Sequence, residues 1–273
     1  MKPFATPHIE TATPCKDDVS VLSITQATAA TFSDLFIRLT FLCFIRAGSK
    51  RVICPINGEL TAREGDLLVF PPGSLVTLEN RPLLDAHYRA EGVYFSHDLI
   101  NSVFTDQRHS DNPPGIQVIR ALANAPDILE RIQDTLNDSS LPPPIRRHRL
   151  REPLIWLQHQ GIRLSARTDE QPSSKLRSLI ESDLSRDWRV SDVARSFAMS
   201  EATFRRSLAR SGLGFSRVLQ NTRLEKGLAL LQATDTPISQ IALECGFKTP
   251  SHFSDSFKKR FGIKPKAIRS AGD

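Results

Sequence analysis

Apolar positions along the last hundred residues fall into a helical rhythm that occurs twice. The first copy places Val190, Val193, Ala194 and Phe197 at i, i+3, i+4 and i+7, followed by Phe204 and Leu208. The second places Ile238, Ile241, Ala242 and Cys245 at the same intervals, followed by Phe253 and Phe257. The copies lie 48 residues apart before the connecting turn (Val190 to Ile238) and 49 apart after it (Phe204 to Phe253), so the second turn holds one extra residue. Each copy predicts a short helix, a tight turn and a second helix. Two such units in tandem are a repeat of architecture.

The rest of the C-terminal part also reads as helix. Leu176, Leu179, Ile180 and Leu184 mark an amphipathic helix over 174–185. A long helix is predicted from Phe215 to Ala233, which would extend about 28 Å at the α-helical rise. Ser200 is a good N-cap for the second helix of the first unit, and Glu201 suits the positive end of its dipole. Thr236-Pro237 and Thr249-Pro250 start the two helices of the second unit, and a last short helix covers 265–270.

Upstream, runs at 19–24, 36–46, 51–56, 59–62, 66–70, 75–78 and 86–95 read as strands punctuated by Gly and Pro turns, which predicts a β-sandwich or barrel. Asn57-Gly58 fits a type I′ hairpin turn. Residues 105–115 read as a loop. Helices are expected over 116–124, 127–137 and 145–161, the last started, kinked or broken by Pro153. The polar stretch 166–174 is a linker. The expected fold is α+β: a β-barrel with helices over 1–165, a linker at 166–173, and an all-α domain over 174–273.

Charge divides along the same boundary. From Pro172 onward there are 18 Lys and Arg against 10 Asp and Glu, while the preceding part has 18 against 20. A basic domain that also carries the repeat points to double-stranded DNA as its partner. The second helix of each unit would enter the major groove. Ala202, Thr203, Arg205 and Arg206 are then the base-reading candidates in the first unit, with both arginines suited to guanine. Ser251, His252, Ser254 and Asp255 hold that place in the second. Ser200, Arg210, Lys248, Thr249, Lys258 and Lys259 suit phosphates, and Arg260 suits a backbone contact. A solvated charged face is the plainer reading of Arg205 and Arg206. His252 could equally be a surface or capping residue.

No apolar run is long enough to span a bilayer, and the N-terminus lacks the apolar core of a signal peptide, so a cytoplasmic protein is expected. Cys15, Cys43, Cys54 and Cys245 lack metal-ligand spacing and read as reduced thiols, Cys245 in a core position.

These residues resemble the AraC/XylS family of transcription regulators. The likeness runs over about 175–270, through Val193-Ala194, Ser200, Phe204, Gly214-Phe215, Arg223-Leu224, Ile241-Ala242, Gly246-Phe247, Phe257-Lys258, Phe261-Gly262 and Pro265. It implies two helix-turn-helix units in adjacent major grooves, with base-reading positions at Ala202, Arg205, Arg206, Ser251, His252, Ser254 and Asp255. Gly227 departs from the family's usual Ala at a cost of about 1 kcal/mol in helix propensity. Ile268 and Asp255 also depart. The segment 58–73 resembles, more weakly, the family's cupin-like sensing and dimerisation domain. The resemblance implies a homodimer formed by the helices after the barrel, RNA polymerase as a partner, and a small-molecule effector.

A cupin metalloenzyme needs clustered histidines. His8, His87, His97, His109, His148, His159 and His252 contain no pair one residue apart, so neither catalysis nor a metal or other cofactor is expected. Among regulators, control by a small ligand competes with control by a partner protein or by abundance. A sequence-specific regulator is expected, an activator rather than a repressor.

Overall fold

The computed structural model describes residues 18–104, 115–120, 125–164, 172–210 and 213–270. Most of the loop at 105–115 and most of the linker fall outside these residues.

Among the described residues nine strands form two sheets. They are β1 (Val19–Gln26), β2 (Ala30–Ile37), β3 (Thr40–Ala47), β4 (Ser49–Cys54), β5 (Gly58–Arg63), β6 (Leu67–Phe70), β7 (Ser74–Arg81), β8 (Tyr88–Phe95) and β9 (Gln117–Ile119). One sheet has the order β1-β8-β3-β6-β9 and the other β2-β7-β4-β5, with every ladder antiparallel. The expected closed barrel is therefore two separate sheets. Phe32, Val52, Ala62 and Val76 from the smaller sheet share one core with Cys43, Ile45, Leu68, Phe70 and Tyr88 from the larger.

The larger sheet is covered on both faces. Its other side, through Leu42, Phe44, Leu67, Val69, Val93 and Phe95, packs on α1 (His97–Asn101), α2 (Ala125–Asn137) and α3 (Pro143–His159). This explains why six successive residues of β3 and all four of β6 are buried, and why these strands read as unbroken apolar runs.

Three local expectations change and a fourth, at Pro153, is narrowed. The segment 116–124, read as helix, holds β9, whose Gln117, Val118 and Ile119 pair with Val69, Leu68 and Leu67. An apolar run this short fits either period, and the open edge of β6 decides it. The run at 36–46 divides into β2 and β3. The type I′ turn is replaced by a three-residue loop (55–57), with only Gly58 at positive φ (68°). Pro153 is buried inside α3, which continues past it to His159.

The C-terminal part comprises α4 (Pro172–Ser182), α5 (Val190–Ser196), α6 (Glu201–Ala209), α7 (Phe215–Ala233), α8 (Ile238–Glu244), α9 (Pro250–Phe261) and α10 (Lys266–Arg269). The helix α4 starts within the stretch assigned to the linker. The first unit, α5–α6, has its own core built on Leu176, Ile180, Val193, Phe204, Leu208 and Val218. The second unit, α8–α9, belongs to the same cluster as the interior between the sheets. Phe32 meets Phe261 edge-on at 5.4 Å, and Ala27 N–H donates to the Ile268 carbonyl at 2.8 Å.

Candidate nucleic-acid interface

The two units are built alike down to single hydrogen bonds. After α5 the chain turns through Ala198 at φ 52°, and Met199 N–H donates to the Ala194 carbonyl at 2.9 Å. After α8 it turns through Gly246 at φ 76°, and Phe247 N–H donates to the Ala242 carbonyl at 2.9 Å. Both are left-handed helix ends with the same ring closure. The caps of the next helices follow, Ser200 in one unit and Thr249 in the other. Each side-chain oxygen accepts from the backbone three residues on, Thr203 N–H and His252 N–H, at 3.2 Å. Lys248, between turn and cap, is the added residue.

Phe204 and Leu208 in α6, and Phe253, Phe257 and Phe261 in α9, point into the protein. That burial leaves the opposite faces outside. Ala202, Thr203, Arg205 and Arg206 are exposed, as are Ser251, His252 and Asp255, while Ser254 is half-buried. Thr203 Oγ1 lies 2.9 Å from Ser200 Oγ, so this pair closes the cap of α6. The His252 ring stands edge-on to Phe247 at 5.4 Å. Arg210, Lys248, Lys258 and Lys259 are exposed. Between the start of α7 and the second unit runs a groove of about 430 Å³, lined by Ser216, Gln220, Arg223, Phe247, Lys248 and His252 among others.

The long helix holds the units together. Arg223 of α7 donates to the carbonyls of Leu184 and Arg186, both at 2.9 Å, beside the first unit. Gly246 of the second unit packs so closely there that a Cβ would run into the Leu184 carbonyl oxygen. Gly227 has a packing reason as well: a Cβ at that position would lie 2.7 Å from the Phe253 ring. The helix-propensity cost is the condition for seating that ring under α7.

Arg260 is not on the outward face. It is half-buried, donating to the carbonyls of Ser33 (2.7 Å) and Asp34 (3.1 Å) in the bulge of β2, where Asp34 has φ 52°. This replaces its expected backbone contact. Glu225 lies 3.6 Å from Arg260 and accepts from Arg177 at 2.6 Å; Arg177 in turn covers the Phe36 ring at 4.8 Å. Burial pushes the Glu225 carboxyl up to about 7, against the pull of both arginines. Arg38 pairs with Glu181 at 2.8 Å across the same junction. A second polar chain runs inward: Gln232 of α7 and Asn80 of β7 both donate to Gln26 Oε1 at 2.9 Å, and buried Lys50 donates to Asn80. Burial lowers the Lys50 ammonium from its ordinary value. Sequence reasoning missed both groups, because their partners are brought together only by the docking of distant elements.

Among the described residues no group of three His, Cys, Asp or Glu could hold a metal, and no helix is long and apolar enough to cross a membrane.

Two matched helix-turn-helix units on one connecting helix define a DNA-binding domain of the tandem type. A family model described as a helix-turn-helix domain matches residues 193–271. The regulator Rns of Escherichia coli is 38% identical over 94 residues, covering 34% of this chain and 36% of Rns. The transcriptional activator AggR of the same organism is 39% identical over 94 residues, covering 34% and 36%. Over this domain the chain is similar to transcription regulators of the AraC/XylS family. The chain spans about a third of the length of these curated relatives. Over most of its length the chain is similar in fold to Vibrio cholerae ToxT. A ToxT structure with bound unsaturated fatty acid gives a TM-score of 0.61 at 18% identity, covering 90% of this chain and 92% of ToxT. Another, bound to (E)-4-(8-methylnaphthalen-1-yl)but-3-enoic acid, gives 0.63 at 16%, covering 90% and 96%.

Proposed function

We propose that this chain is a sequence-specific DNA-binding transcription regulator, an activator, that sets α6 and α9 into adjacent major grooves of promoter DNA. The observation that carries this reading is the pair of matched units with buried aromatic faces and polar, exposed faces at the start of each second helix. Arg205 and Arg206 read bases in the first groove, and Ala202 and Thr203 flank them. Ser251, His252, Ser254 and Asp255 meet the second groove with weaker chemistry. Arg210, Lys248, Lys258 and Lys259 meet phosphates, together with the capped ends at Ser200 and Thr249. In a promoter complex RNA polymerase is the partner, and the chain acts as a homodimer.

The N-terminal domain is the sensor in this reading. Lys50 supports an effector that combines an apolar body with a carboxylate. It is buried with an amide partner, and no carboxylate is paired with it among the described residues. The ligands named for the two ToxT structures are acids of that kind.

The test is selection of bound sequences from a randomised duplex library by the full chain, followed by affinity measurements on the winner. Arg205→Ala or Arg206→Ala is expected to cost about 1–3 kcal/mol and to relax preference at particular bases. Unchanged affinity for selected and random DNA in both variants would overturn the assignment.

A further inference from the structure

We propose that Glu201 is a specificity-determining residue of the first recognition helix, holding Arg205 in one orientation and adding a carboxylate acceptor beside it. Two hydrogen bonds carry this. Glu201 Oε1 accepts from Arg205 Nε at 3.1 Å and from Arg205 Nη2 at 2.7 Å. Both residues are exposed, at the end of α6 that would enter the groove. A guanidinium can meet guanine O6 and N7 along its Nε–Nη2 side or across its Nη1–Nη2 end. Glu201 occupies the side, which leaves the end for a base. The chelated Arg205 therefore presents one edge instead of sampling phosphates and bases alike.

The other carboxylate oxygen, Oε2, takes no hydrogen bond among the described residues. It stands where it can accept from a cytosine amino group, and it repels phosphate. In the second unit the corresponding residues are Pro250 and Ser254, so that unit cannot form this pair. Glu201 thus makes the two units unequal in selectivity. Its other role, favouring the helix N-terminus by its charge, would not alter base preference.

This inference rests on the DNA-reading function proposed above. The experiment compares the full wild-type chain with Glu201→Gln, Arg205→Ala and the double variant, by selection from a randomised duplex library and by binding to the selected and a scrambled duplex. Circular dichroism checks that α6 is retained, since Gln is a comparable helix former. Glu201→Gln is expected to lower the selected-over-scrambled affinity ratio about tenfold and flatten preference at the Arg205 position, a loss within the range of one good base contact. It should bind scrambled DNA more tightly, and it should change little further in the Arg205→Ala background. A Glu201→Gln variant with the wild-type preference, or one whose effect is the same with Arg205 absent, would overturn the proposal and leave the DNA-reading function standing. A wild-type chain that selects no sequence would remove both.

Discussion

At the scale of single residues, the two units differ most tellingly at the turn. Ala198 and Gly246 occupy the same left-handed position, which costs a residue with a Cβ about 1–2 kcal/mol. The first unit bears this strain, whereas the second cannot carry a side chain at all because Leu184 and Arg223 crowd the site. Gly246→Ala should lower stability in urea by about 2 kcal/mol or more, and Ala198→Gly should be neutral or stabilising by up to about 1 kcal/mol. Effects of equal size and opposite sign would contradict the crowding seen at Gly246. The sequence shows the shared turn through its apolar spacing. It does not show that one copy tolerates Ala, because Leu184 reaches the second turn from outside the repeat.

At the scale of elements, buried faces follow from periodicity, and partners often do not. The long helix lies where the spacing puts it, from Phe215 to Ala233, and the apolar faces of α6 and α9 are the ones the pattern marks. Phe257→Ala should therefore cost about 3–5 kcal/mol and loosen α8–α9, read by urea denaturation and near-ultraviolet circular dichroism. A variant as stable as the wild type would undo the assignment of faces. The strand at 117–119 reads as helix in the sequence because three or four apolar residues fit either period, and only the edge of β6 settles which. Strand-like runs do not state how sheets close, so a closed barrel and two separate sheets look alike in the sequence. Arg260 departs from its expected place for a related reason. On the helix alone it continues the basic row of Lys258 and Lys259, and only the bulge at Asp34 draws it inward.

At the scale of the whole molecule, the second unit shares its core with the sheets while the first has a core of its own. The junction buries Glu225 between Arg177 and Arg260, with Glu181 and Arg38 close by. Because burial raises the Glu225 carboxyl from 4.5 to about 7, the folded chain binds that proton more tightly than the unfolded one. The contribution to stability is full below about pH 4.5 and is lost as pH rises through about 7, a change on the order of 3 kcal/mol. Glu225→Gln should flatten this part of the pH profile, and urea midpoints measured from about pH 5 to about pH 8 would show it. Identical slopes in variant and wild type would contradict the buried acid. Footprinting the full chain on a duplex selected from a random library distinguishes two unequal readers on one DNA-binding domain from a single reader. Protection is expected at two major grooves one helical turn apart on one face, with sharper base preference at the half lost in Arg205→Ala. A single protected groove, or equal preference in both halves that survives Arg205→Ala, would contradict two unequal readers.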